Sequence, residues 1–427
     1  MIRDFIVSLY GETIYSILVF LLYLYPIWLP LLLGYMFWIC WMRYIRYMFF
    51  VTTKVVLLEV RLPREIMKTP LAMELAINGM HILGGEGTFI ARYWEGKTRP
   101  WFSLELVSIG GNVRFLVWTR ENVRNIVEAH FYSQFPGIEI RQVEDYARNL
   151  VFQPGVNDMW GCDYVLTKPD PLPIKTYSEY GLDKPQEEEE EANPLSTVLE
   201  YLGSIKPTET ICLQIVIRGH KKEKRYGFFS KPTDWSEEVN QLRAKFIESA
   251  RLERRLVFTE EEAKIINALS RSIQKYAFDT GIRCIYIADK ATYNNTTIVG
   301  LRGLMRGFSS ALGEDISKID LTDLTKLEKP GTRKYYAAYN GFRFDRATDF
   351  DYPWQDFMAV RMNYIKRKKL DAFKRRMFFY PPYKKQTNVM TTEALATLYH
   401  FPGATAAVPG LQRIESKRGQ APTNLPT

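Results

Sequence analysis

No charged side chain occurs between Ile14 and Met42; beyond that point apolar and polar positions alternate with the periods of strands and helices. About 20 apolar residues suffice to cross a bilayer, so residues 1–52 are expected to form a membrane anchor built on a transmembrane helix. Trp28, Tyr35, Trp38, Trp41, Tyr44 and Tyr47 crowd its second half, as aromatic side chains do at a lipid–water boundary. A signal peptide would be shorter, with a basic start and small residues at a cleavage site. Pro26 and Pro30 leave two geometries open, one kinked span or a re-entrant hairpin, and the single span is simpler for a run this long.

The pattern after the anchor predicts an α+β protein. Residues 55–62 are apolar and β-branched, the signature of a buried strand. Thr69-Pro70 opens a helix over 70–81, with a hydroxyl at the N-cap and proline at the first helical position. Strand-like residues 102–108 and 113–118 meet at the turn Gly110-Gly-Asn112. Thr119 is expected to cap a helix over 120–131, and residues 138–142 alternate as a closing strand. The order β-α-β-β-α-β over 53–150 is that of a ferredoxin-like unit. The same order returns over 195–345, with its first strand at 162–167. A helical insertion over 237–276 stands where the hairpin should be. Between the two, 151–194 reads as a linker: it is proline-rich and carries the acidic run Glu187–Glu191. Residues 346–390 read as a basic amphipathic helical segment, and 391–427 as a short helix and an extended C-terminal strap.

Charge sharpens the reading of 346–390. Between Arg361 and Lys385 there are ten basic residues against a single acid, a surplus equal to the net +9 of the whole chain. Phe357, Val360, Tyr364, Ile365, Leu370, Phe373 and Met377 mark the apolar face of a helix. Arg361, Lys366, Arg367, Lys368, Lys369, Lys374, Arg375 and Arg376 are expected on its solvent face, as a surface for anionic lipid or nucleic acid. A merely solvated face is the competing reading. At the anchor, Arg43, Arg46 and Lys54 follow the apolar run, whereas Arg3 on the other flank is offset by Asp4 and Glu12. This bias places the N-terminus outside and everything beyond residue 50 in the cytoplasm.

Signatures of catalysis are missing from the sequence. There is no Gly-x-x-x-x-Gly-Lys-Ser/Thr phosphate loop, His-Glu-x-x-His pair or nucleophile elbow, so neither an enzyme nor a cofactor is expected. Cys40, Cys162, Cys212 and Cys284 are scattered, which argues against a zinc site or a disulfide framework. Asp349 and Asp351 could ligate a cation, but two acids ahead of Pro353 more often cap a turn.

Several strings together resemble a known family. They are Leu57-Leu-Glu-Val-Arg-Leu-Pro-Arg64, Lys68-Thr-Pro-Leu-Ala-Met-Glu74, Trp101-Phe-Ser-Leu-Glu-Leu-Val-Ser108 and Val117-Trp-Thr-Arg120, with Glu128-Ala-His-Phe-Tyr-Ser-Gln-Phe-Pro-Gly-Ile-Glu-Ile140 and, in the tail, Thr391-Thr-Glu-Ala-Leu-Ala-Thr-Leu-Tyr-His-Phe-Pro402. These resemble the membrane-anchored N-terminal region of type IV secretion and conjugation-related proteins of candidate-phyla bacteria, which precedes a DNA-translocating ATPase of the HerA-FtsK superfamily. No Walker residue accompanies the strings, so the resemblance implies no activity. It implies a bacterial inner-membrane anchor and docking subunit, partnered by a separate ATPase and other secretion-machine subunits. DNA as a partner and a homo-oligomeric state stay open. The alternatives are a membrane-tethered nucleic-acid-binding protein and a structural envelope protein.

Overall fold

The computed structural model describes residues 19–20, 23–63, 68–184, 193–221, 234–252, 258–309, 339–345, 356–403, 410–411 and 413–414. The chain divides into two compact units, one made of residues 1–53 and 85–98, the other of 54–84 and 99–427.

The first unit is built on helix α1, Tyr25–Thr52. Its 28 residues extend about 42 Å at 1.5 Å per residue, longer than the roughly 30 Å hydrocarbon layer. It is long and apolar enough to cross a membrane, and almost all of it is exposed, unlike a core helix. Pro26 lies in the first turn, where a missing N–H costs little. The backbone ladder runs through this region: Leu24 N donates to Phe20 O at 3.0 Å and Trp28 N to Leu24 O at 3.3 Å. Pro30 sits inside the helix without ending it, so no re-entrant turn occurs among the described residues. The helix also continues past Met42, and Arg43 and Arg46 belong to it rather than following it. Residues 85–98 add a short helix, Phe89–Tyr93, whose N-cap Thr88 accepts a hydrogen bond from Ala91 N.

The second unit is a sheet covered by helices. Strand β1 (Val55–Pro63), helix α2 (Pro70–Asn78), strands β2 (Phe102–Ile109) and β3 (Asn112–Arg120), helix α3 (Arg124–Gln134) and strand β4 (Glu139–Val143) come first. They pair in the order β4-β1-β3-β2. Then follow β5 (Asn157–Leu166), α4 (Pro194–Gly203), β6 (Glu209–Gly219), the helices α5 (Trp235–Leu252) and α6 (Glu260–Ile273), β7 (Ala277–Asp289), α7 (Asn295–Gly303) and β8 (Phe342–Asp345). These strands pair as β8-β5-β7-β6. The two sets join through antiparallel β2 and β6, with Leu104 opposite Ile215. After helix α8 (Asp356–Lys374), β9 (Asn388–Thr391) adds to β7, and beyond helix α9 (Thr392–Leu398), β10 (Arg413–Ile414) adds to β1 in parallel.

Strand alternation gives this sheet an apolar face and a polar one. Phe102, Leu104 and Leu106 of β2, Ile211, Leu213 and Ile215 of β6, and Trp160 and Tyr164 of β5 share one core with residues of α2, α3, α4 and α9. Because that core is continuous, 53–150 and 195–345 are not separate domains. Helices α5 and α6 pack on each other through Val239, Leu242, Phe246, Ile265 and Leu269.

Other expectations need correction. Thr119 caps no helix: it lies buried in β3, and α3 starts only at Arg124, after a 3-10 turn over Glu121–Val123. The insertion is two helices, because Thr259 and Glu262 form a reciprocal capping box that starts α6 afresh. Much of the expected linker is packed, with Leu172, Ile174, Tyr177 and Leu182 buried; its acidic run lies outside the described residues, as do Asp349 and Asp351. The C-terminal residues join the second unit where they are described. Tyr399, His400 and Phe401 are buried in the core, and Arg413 and Ile414 extend the sheet; of the expected strap, residues 404–409, 412 and 415–427 lie outside the described residues.

Candidate functional site

The polar face of the sheet positions α8. Strand register sets Glu59, Leu116, Glu105, Gln214, Arg283 and Asp163 side by side across β1, β3, β2, β6, β7 and β5. A charged row on interior strands must be paired or it is costly to bury. The end of α8 supplies the pairing. Lys369 Nζ lies 3.2 Å from Asp163 Oδ2, and Phe373 O accepts from Gln214 Nε2 at 3.3 Å. Arg376 reaches Glu105 through Nε at 2.9 Å and also grips Asp145 with both terminal nitrogens. Ser103 and Tyr146 donate to Glu105 as well, at 2.7 and 2.8 Å. Gly281 of β7 makes close approach possible here: a Cβ on it would lie 2.4 Å from the Phe378 ring.

Burial and charge oppose each other in this row. Burial alone would raise the Asp163 pKa, but Arg283, Lys369 and Lys385 overcome it and hold the carboxyl at about 2. Burial likewise disfavours the charge on Arg376, yet Glu105 and Asp145 push its pKa up. A second buried cluster lies on β6 and β7, where Asp279 accepts from Arg218 and pairs with His220 Nδ1 at 2.7 Å. Burial raises the Asp279 pKa, and the hydrogen bond to His220 together with the charge of Arg218 brings it below the ordinary carboxylate value.

The eight basic residues expected on the solvent face therefore separate into two groups. Arg376 and Lys369 are buried beneath the helix, and Lys366 is nearly so, with its Nζ 2.6 Å from Asp158. For these three the solvent-face expectation is wrong, because the helix turns them toward the acids of the sheet. Arg361, Arg367, Lys368 and Arg375 are exposed and Lys374 is half-buried. Arg375 pairs with Asp371 one turn back. Tyr364, expected on the apolar face, is 64% exposed among Arg361, Arg367 and Lys368. At helical spacing these four residues make one outward stripe. Sequence reading missed the acidic partners Glu105, Asp145, Asp158 and Asp163. Alternation in β2 and β5 marks the parity of Glu105 and Asp163, but not that a helix covers them.

On α1, Arg43 is exposed and Arg46 half-buried, and Lys54, which opens the second unit, is exposed. Cys162, Cys212 and Cys284 are free thiols buried in the sheet, and Cys40 is exposed on α1. Burial raises the pKa of the three sheet thiols, which keeps them protonated and poorly nucleophilic. Among the described residues no group of three or more His, Cys, Asp and Glu side chains is arranged to hold a metal ion. No protein-family model and no curated protein matches this chain.

Proposed function

We propose that this chain is a non-enzymatic, membrane-anchored docking subunit that presents its sheet unit to a DNA-translocating ATPase of a type IV secretion or conjugation-like machine. The observation that carries the reading is α1, an exposed apolar helix whose uncharged run gives way to Arg43 and Arg46, beside the strings that resemble such anchors. Its hydrophobic length suits one crossing of a bacterial inner membrane, and Arg43, Arg46 and Lys54 favour a cytoplasmic location for all that follows. The strand orders β4-β1-β3-β2 and β8-β5-β7-β6 support reading the sheet as two ferredoxin-like units joined edge to edge, the second interrupted by α5 and α6. Such a scaffold offers its covering helices as docking surfaces.

Two measurements test this. Protease added to inverted vesicles should digest the part beyond residue 50; digestion in spheroplasts with protection in inverted vesicles reverses the orientation. Affinity purification from native membranes should recover an ATPase with a phosphate loop, and its absence from a stable, saturable complex rejects the docking role.

A second reading, binding of an anionic partner, is favoured by the outward stripe Arg361, Tyr364, Arg367 and Lys368. Cations beside an exposed ring can neutralise phosphates and stack on bases. Reversing Arg361, Arg367 and Lys368 to Glu should abolish binding to phosphatidylserine vesicles and DNA. It should also leave the unfolding midpoint almost unchanged, since exposed positions usually shift stability by no more than about 0.5 kcal/mol each. Unaltered binding by the triple variant assigns the stripe to solvent.

A further inference from the structure

We propose that residues 85–98 are a second membrane contact, a short aromatic foot that lies in the headgroup–acyl boundary of the bilayer that α1 crosses. The proposal rests on reading α1 as a membrane span. Phe89, Ile90 and Trp94 are 73, 63 and 71% exposed, an unusual concentration of large apolar surface on a helix of five residues and its C-cap. The segment is held against one level of α1. Trp41 Nε1 donates to Tyr93 O at 2.9 Å, and the Trp41 and Trp94 rings are 5.3 Å apart. The Trp38 and Tyr93 rings are 5.5 Å apart. Gly96 has φ +65°, and a Cβ on it would lie 2.5 Å from Ile45 O, so the backbone of the segment meets the backbone of α1 there.

That level is where the uncharged run ends at Met42 and Arg43 begins. For a helix entering the bilayer along its uncharged run, Trp38 to Ile45 mark the lipid–water interface, the zone Trp and Tyr favour. Phe89, Ile90 and Trp94 at this level have acyl chains to cover them. The charges of the segment are neutralised in pairs, Arg92 with Glu86 at 3.1 Å and Lys97 with Glu95 at 2.6 Å. Exposed Arg43 completes a surface suited to anionic headgroups. The foot would fix the rotation and depth of α1, which a single helix leaves free.

The test uses the full chain with Cys40→Ser, reconstituted in phosphatidylcholine–phosphatidylserine vesicles. An environment-sensitive dye is placed singly at Phe89→Cys, Trp94→Cys or, within α1, Leu33→Cys. At 89 and 94 the emission should be blue-shifted from that of the glutathione-conjugated dye in buffer. It should be quenched more by lipids with a nitroxide near the headgroup than by lipids with one deep in the chain. The probe at 33 should show the reverse preference. Water-like emission at 89 and 94 with deep quenching at 33 overturns the foot while α1 stands as a span. Blue-shifted emission at 89 and 94 without nitroxide quenching also overturns it, since protein rather than lipid then covers the patch. An unquenched probe at 33 shows that α1 does not span, and the foot falls with it.

Discussion

Replacing Arg376 by Met should destabilise the sheet unit by about 3–5 kcal/mol, the usual cost of removing one partner of a buried ion pair. Against a typical stability of about 5–15 kcal/mol, that is a large fraction. The guanidinium is fully buried and serves Glu105, itself fully buried, and Asp145 at once. Methionine fills similar space but leaves the Glu105 carboxylate with neutral donors only. The backbone adds a second argument. Arg376 has φ +51°, the left-handed conformation that closes a helix and that glycine adopts most easily. Met377 N donates to Ala372 O and Arg376 N to Phe373 O, the bond pair of a Schellman end. A side chain held there against its preference is held by its partners. Arg376→Gly should therefore regain about 1 kcal/mol of backbone strain and still be clearly less stable than the parent. Its neighbour gives the control: Arg375→Met, exposed and, among the described residues, paired with Asp371 one turn back, should change stability by less than about 1 kcal/mol. Urea unfolding of the detergent-solubilised chain, followed by circular dichroism, measures all three. Equal midpoints for Arg376→Met and Arg375→Met would show the buried row to be unimportant.

That two adjacent arginines differ so much is also the measure of what the sequence can disclose. Local signals were strong where the chain interacts with itself nearby. Thr69 before Pro70, the Gly110-Gly-Asn112 turn and the apolar strand at 55–62 each mark an element that the structure contains, with ends shifted by a few residues at most. The orientation of α8 was not legible, because a periodic helix is normally assumed to turn its apolar stripe inward. Leu370 and Phe373 obey that rule, but Lys366, Lys369 and Arg376 share the inward side with them and Tyr364 turns out. The rule fails because the surface beneath is polar, and its acids come from far away: Glu105 and Arg376 are 271 positions apart. Nothing local to 356–376 announces that partner. The same reason hides the packing of residues 168–184, where prolines and polar residues read as a loop while Leu172, Ile174 and Tyr177 find their neighbours only through the tertiary fold.

Acid should weaken the sheet unit already between pH 6.5 and 4, before most carboxylates titrate, and His400 should be the main cause. Its ring is fully enclosed. Asn193 Oδ1 accepts from Leu195 N as the cap of α4, which turns the amide nitrogen toward His400 Nε2 at 2.8 Å. Nε2 is therefore an acceptor, and Nδ1–H donates to Ala396 O at 2.9 Å. Both ring nitrogens are used by the neutral form, and a second proton would set N–H against N–H. Burial lowers the pKa to about 4 from 6.5, against the pull of the carbonyl hydrogen bonds. The folded pKa lies below the unfolded one, so the unfolded chain binds the proton first. The contribution is fully present above pH 6.5 and is lost as pH falls toward 4, amounting to about 3 kcal/mol by then at 1.36 kcal/mol per unit. Asp163, held at about 2, adds a separate loss that begins only near pH 4. His400→Gln can keep both hydrogen bonds without titrating, and should flatten the decline between pH 6.5 and 4 while leaving the steeper loss below 4 in place. If stability of the variant falls over that upper window as steeply as the parent's, the proton is taken up elsewhere and His400 is not the group that senses it.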